Sequence, residues 1–163
     1  MNEPDGGAAS RPGEESCAVC SSLVAGDDRA AGIVHRGERC FARLSTTPYN
    51  SGHLLLSPYR HVDGIEGLEG EVLLELMTLA RHGLGVLREL HRPDGFNLGL
   101  NEGSAAAGSQ HHAELHVVPR FTADTGFVAA IGGARVIPQS LSDSYLELCR
   151  AFERAAAGTS SAA

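Results

Sequence analysis

The apolar positions of this chain recur with two different periods. Between residues 31 and 44, AGIVHRGERCFARL, two short apolar runs flank the polar triplet RGE, a pattern that predicts a β-hairpin. PYNSG (48–52) is turn chemistry, and HLLLSP (53–58) predicts a third strand that ends at its proline. From about Leu68 to His91 the period changes. Val72, Leu73, Leu76, Leu79, Ala80, Leu84 and Leu87 recur at helical spacing, and RPDG (92–95) stops the helix. FNLGLN (96–101) predicts a fourth strand, NEGSAAAGSQ (101–110) a loop of small residues, and residues 111–118 a fifth strand. SLSDSYLELCRAFERAA (140–156) predicts a last helix opened by a serine cap. No internal repeat is visible. The order β-β-β-α-β-β-α predicts one α+β domain over 17–156 with a mainly antiparallel five-stranded sheet. The Gly, Pro, Ser and Glu content of residues 1–16 predicts a disordered arm, and 157–163 a disordered tail.

Composition narrows the function classes. A net charge of −7 argues against a protein that coats nucleic acid or an anionic membrane, either of which needs a basic field. No apolar run of about 18 residues is present, so no membrane helix is expected. The first residues lack the charged and apolar segments of a secretory signal, which leaves a cytoplasmic location as the expectation. All 13 basic residues are arginine, a bias that carries no chemistry of its own. In that setting the four cysteines, at 17, 20, 40 and 149, are expected as thiols or metal ligands rather than disulfides.

Two stretches carry candidate chemistry. In CAVC (17–20) the pair Cys17 and Cys20 reads as a redox pair, as two small apolar residues, or as half of a metal site. His61 and His112 complete a closed Cys2His2 set suited to structural zinc, which would pin the N-terminal arm to the sheet. The second stretch is QHHAELHVVPR (110–120). On a strand, His112, Glu114 and His116 share one face, while Ala113, Leu115 and Val117 share the other. The preceding Gly/Ala/Ser loop would bring backbone N–H groups close to an anion.

The run His112-Ala-Glu114-Leu-His116-Val-Val-Pro119-Arg120 resembles the signature of the histidine-triad nucleotide-binding proteins, His-φ-His-φ-His-φ-φ followed by Pro-Arg. PYNSGHLLLSPYRHV (48–62), PDGFNLGLNEG (93–103) and GGARVIPQSL (132–141) resemble the branch that cleaves diadenosine polyphosphates. The resemblance covers about residues 17–155. It implies a histidine-triad fold, a homodimer and a small nucleotide-like substrate. It also implies zinc on Cys17, Cys20, His61 and His112, and phosphate contacts from Asn101, Ser109, Gln110 and His116. The ribose contact falls at Ser45, where that branch carries Asn or Asp.

One position departs from the pattern. The middle histidine, the nucleophile of the family, is Glu114 here. A carboxylate about 4 Å from a phosphate oxygen costs roughly 4 kcal/mol at an effective dielectric of about 20, unless a cation or proton compensates. That is about three orders of magnitude in affinity. Three roles follow for Glu114: an acid/base with His116 as partner, a ligand that joins His112 on the metal, or the mark of a chain that only binds. The leading expectation is a non-standard histidine-triad hydrolase or transferase acting at phosphorus or a neighbouring bond, with Glu114 and His116 catalytic. The alternatives are a repurposed enzyme of specialised metabolism, with lyase, isomerase or condensation chemistry on a nucleoside-like metabolite, and a non-catalytic nucleotide-binding module.

Overall fold

A computed structural model describes residues 16–106, 112–122, 124 and 139–159. Two short helices, α1 (Ala18–Ala25) and α2 (Asp28–Ala31), lead into the hairpin β1 (Ile33–Arg36) and β2 (Cys40–Leu44). Strand β3 (Leu54–Pro58), helix α3 (Gly70–His91), strands β4 (Gly95–Leu100) and β5 (Leu115–Arg120), and helix α4 (Leu141–Thr159) follow. The five strands form one sheet in the order β1-β2-β3-β5-β4, antiparallel throughout, so the predicted α+β architecture is observed.

Helix α3 crosses one face of the sheet and buries Leu76, Leu79, Ala80, Val86 and Leu87 against Leu54, Leu56, Leu115 and Val117. At Gly83 the approach is close, because a Cβ there would lie 3.2 Å from Leu54 Cδ1. Helix α4 packs beside α3 through Leu148, Ala151 and Phe152. Its start carries the predicted cap: Ser140 Oγ accepts from the Asp143 N–H at 3.1 Å and donates to Asp143 Oδ2 at 2.7 Å. The opposite face of the sheet is covered at the β1–β2 end by Cys17, Val19 and Cys20, which pack on Ile33 and Phe41. The rest of that face carries the site.

The periodicity of the sequence does not announce α1 and α2, because each is too short for an apolar stripe. Their signals are local. Asp27 accepts from the Ala30 N–H at 3.0 Å, and Gly26 and Gly32 take left-handed φ values of 69° and 70° at the two C-termini. Helix α4 runs to Thr159, past the expected end at 156.

The fifth strand is displaced from its expected span of 111–118. It starts at Leu115 because the residues before it are engaged elsewhere. His112 is drawn into the cysteine cluster, and the Ala113 N–H donates to the Val62 carbonyl at 2.7 Å rather than to a strand. It runs past Pro119 because β4 pairs as far as Arg120, whereas β3 ends opposite Val117. The Pro119 carbonyl accepts from Asn50 Nδ2 at 2.9 Å, so its backbone polar side faces the loop before β3, and the missing N–H costs no ladder bond.

Candidate functional site

Four buried side chains from three separate stretches meet at one end of the sheet. Cys17 and Cys20 lie at the start of α1, His61 lies just after β3, and His112 lies before β5. Their ligand atoms all fall within 4.8 Å of one another. Cys20 Sγ is 3.4 Å from His61 Nδ1 and 3.6 Å from His112 Nδ1, and Cys17 Sγ is 3.5 Å from His112 Nδ1. The far nitrogens are oriented as metal-bound imidazoles require. His112 Nε2 donates to the Pro58 carbonyl at 2.9 Å, which leaves the Nδ1 lone pair facing the thiols. His61 Nε2 faces Asp63 Oδ1 at 3.4 Å. Burial pushes the His112 pKa down and favours the neutral ring that a metal needs. Two thiols and two imidazoles converging at this spacing fit a tetrahedral ion with no open position.

A second group is built around His116 on β5. The Tyr49 N–H donates to His53 Nδ1 at 3.1 Å, so the proton of the neutral His53 ring is on Nε2. That N–H reaches His116 Nδ1 at 3.0 Å. His116 therefore accepts at Nδ1 and carries its own proton on Nε2. The rings of Tyr49, His53 and His116 stack, with centroids 4.9–5.9 Å apart, and burial holds the His116 pKa below its ordinary value. A cavity of about 300 Å3 opens here, lined by Tyr49, Asn50, Asn101, His116, Arg120 and Asp124 among others. Its far wall is a tied network. Arg120 donates to both oxygens of Asp124 at 2.6 and 2.9 Å, and Asn50 and the Phe121 N–H also donate to Asp124. The Arg120 hydrogen bonds hold the Asp124 carboxyl well below the usual carboxylate range.

Between the two groups lies Glu114, against a residue that sequence reasoning did not single out. Arg43 on β2 forms an ion pair with Glu114, and both side chains are mostly buried, at 16% and 11% exposure. Nε and Nη2 of the guanidinium both donate to Oε1. Both charges of the pair bear on His112 and on His116. Nothing in the spacing of Arg43 within the predicted hairpin tied it to Glu114.

The structure brings Asn101 and His116 into one cavity and Cys17, Cys20, His61 and His112 into one cluster. It places Ser45 elsewhere. Ser45 is 3% exposed, its N–H donates to the His53 carbonyl, and it lines a different cavity of about 190 Å3 with Arg29 and Tyr145. Ser109 and Gln110 lie outside the described residues. His53 is not the surface residue that a strand start suggests, since it is 1% exposed and orients His116.

A HIT domain model matches residues 28–123. Over 123 residues the chain is 43% identical to the AP-4-A phosphorylase of Mycobacterium tuberculosis, an alignment covering 75% of this chain and 63% of that protein's length. It is 30% identical over 112 residues to a 16.1 kDa HIT-like protein of Mycoplasma pneumoniae, covering 69% of this chain and 76% of the relative. Among solved structures, a zinc-bound histidine triad family protein from Mycobacterium smegmatis superposes with a TM-score of 0.72 at 26% identity, over 90% of this chain and 99% of the other. With the sheet, the buried Cys2His2 cluster and the His116 cavity in place, these likenesses assign the chain to the HIT domain, or histidine-triad, family.

Proposed function

We propose that this chain is a histidine-triad enzyme of non-standard mechanism that acts on a nucleotide-type substrate bound in the His116 cavity. The observation that carries the reading is the Arg43–Glu114 pair. A bare carboxylate at the middle position of the triad would repel a phosphate, but this one is compensated by a guanidinium in direct contact. The position is thus compatible with a phosphoryl ligand while lacking a histidine able to form a phosphoramidate.

In this reading the phosphoryl group is held by the Nε2–H of His116 and by Asn101, with Ser109 and Gln110 as further contacts. Glu114 acts as general base. Its carboxylate takes a proton from water or another acceptor as the acceptor oxygen bonds to phosphorus and the bond to the leaving oxygen breaks, with His116 Nε2–H donating toward that oxygen. The substrate class follows the phosphorylase relative, which acts on a dinucleoside polyphosphate by its name. The Cys2His2 cluster holds zinc in a structural role, in keeping with the zinc-bound neighbour. The chain pairs as a homodimer through the outer edge of β4, where Asn97, Leu98 and Gly99 are exposed.

The test is stereochemical. A dinucleoside polyphosphate or nucleoside phosphodiester panel is screened for turnover, and the active substrate is then remade as a P-chiral phosphorothioate. Direct attack inverts phosphorus, and Glu114→Gln loses about 10²–10⁴-fold in kcat. Retention of configuration, or full activity in Glu114→Ala, overturns the mechanism. Binding of AMP without turnover of any member assigns the chain to the non-catalytic reading instead.

A further inference from the structure

A phosphate-bearing ligand beside His116 needs a cation, and among the described residues Arg120 lines the cavity while Arg43 lies in the same row of the sheet as His116. They are not equally available. Arg120 is held in a closed lattice: its fork meets both oxygens of Asp124, its Nη1 donates to Asn97 Oδ1 at 2.6 Å, and Asp124 takes two more hydrogen bonds from Asn50 and Phe121. Removing Arg120 from Asp124 would orphan several partners at once. Arg43 is held by one oxygen. Nε and Nη2 both converge on Glu114 Oε1, and no hydrogen bond among the described residues engages Oε2. A side-on grip on a single oxygen is the geometry that a phosphate, with three acceptor oxygens, can better.

Register puts this arginine in line with the site. Arg43 pairs with Leu55, and Leu55 pairs with His116, so the three residues form one row across β2, β3 and β5. Strand spacing sets Arg43 and His116 about 9–10 Å apart at Cα, a gap that a guanidinium and an imidazole can close on a single phosphoryl group.

We propose that Arg43 is the anion receptor of the site, and that in the ligand-free chain Glu114 occupies it as an internal stand-in for a phosphate monoester. Ligand binding is then a partner exchange. The phosphate oxygens take Nε and Nη2 of Arg43, Oε1 of Glu114 is released, and no covalent bond changes. The inference rests on the proposed phosphoryl site beside His116, but not on Glu114 acting as a base.

The experiment is a binding cycle with AMP as probe and adenosine as the phosphate-free control, measured by calorimetry on the wild type, Glu114→Ala, Arg43→Met and the double variant. Removing the internal competitor tightens AMP about 10-fold or more, and Arg43→Met weakens it by about the same factor. The double variant, which has neither the receptor nor a bare carboxylate, binds AMP more weakly than Glu114→Ala by about 10-fold or more, and adenosine is indifferent to all three. Arg43→Lys, which keeps charge but not the fork, falls between wild type and Arg43→Met, and its melting curve shows that the fold is kept. AMP affinity unchanged within twofold in Glu114→Ala, a double variant that binds AMP as tightly as Glu114→Ala, or no AMP binding in any form overturns the inference. Inversion at phosphorus with unchanged AMP affinity in Glu114→Ala would sink the exchange and leave the proposed function standing.

Discussion

The Arg43–Glu114 pair makes a prediction about stability that needs no substrate. Unit charges about 4 Å apart at an effective dielectric of about 20 attract by ~4 kcal/mol, and the pair is shielded from solvent at 16% and 11% exposure. Deleting one partner does more than lose that attraction, because it leaves the other charge mostly buried and unpaired, a situation that costs ~3–5 kcal/mol in full burial. With the pair open to solvent on one side, Arg43→Met and Glu114→Gln are each expected to lose about 2–4 kcal/mol. The double variant, with no charge left to strand, loses less than the sum by about 1.5–3 kcal/mol. Urea unfolding of the four proteins at pH 7.5 and low salt reads the cycle directly, with m-values checked for constancy. Additivity within about 0.5 kcal/mol would mean that the two side chains do not share a site, and both the neutralised triad position and the partner exchange would lose their basis.

Other consequences can be checked separately. The purified chain should carry one zinc per chain by elemental analysis, and Cys20→Ser should lose it. If the metal is present at about 1,000 times its dissociation constant it contributes ~4 kcal/mol, so chelation should lower Tm by about 8–16 °C. Burial lowers the pKa of His35, His82 and His91 in the folded chain, so the unfolded state binds more protons as pH falls. Stability from these rings is present above their ordinary pKa of 6.5 and declines below it, and urea midpoints at pH 7.5, 6.5 and 5.5 should fall in that order. Phe152 is 1% exposed and stacks on His35 at 5.0 Å, so Phe152→Ala should cost about 3–5 kcal/mol. Nitrogen shifts should show His116 protonated at Nε2 near pH 7.5, and His53→Phe should abolish that preference.

The fold was legible where burial is one-sided and periodic. Helix α3 shows its stripe because Leu76, Leu79, Ala80, Val86 and Leu87 all meet the sheet, and β3 shows as an apolar run because both its faces are covered. The cysteine cluster was legible as one of the readings of CAVC, with His61 at the end of a predicted strand and His112 on the QHHAELHVVPR stretch as the histidines that complete it. What the sequence hid was tertiary. Strand alternation placed His112, Glu114 and His116 in a row about 13 Å long, but the metal-type cluster pulls His112 out of the strand, so only His116 belongs to β5. His53 looked like a strand-start residue because its role depends on a partner 63 positions away. Arg43 and Glu114 are 71 positions apart and carry no shared motif.

The displacement of β5 changes how the two halves of the site depend on each other. His112 is fixed at one end by the thiols and the Pro58 carbonyl, and His116 is fixed at the other by His53 and the pairing of β5 with β3 and β4. Only Ala113, Glu114 and Leu115 span the interval, with Ala113 tied to Val62 and Leu115 in the core. Glu114 is therefore the side chain of the bridge that reaches Arg43, and its direction is set by both anchors and by that ion pair. A metal at the cluster end would position the triad's middle residue without touching the substrate. Loss of zinc should accordingly loosen the hold of Glu114 on Arg43 and tighten AMP binding, in the direction of Glu114→Ala, in protein that remains folded. The same loss should leave AMP affinity unchanged in the Arg43→Met, Glu114→Ala double variant, where there is no pair left to misplace.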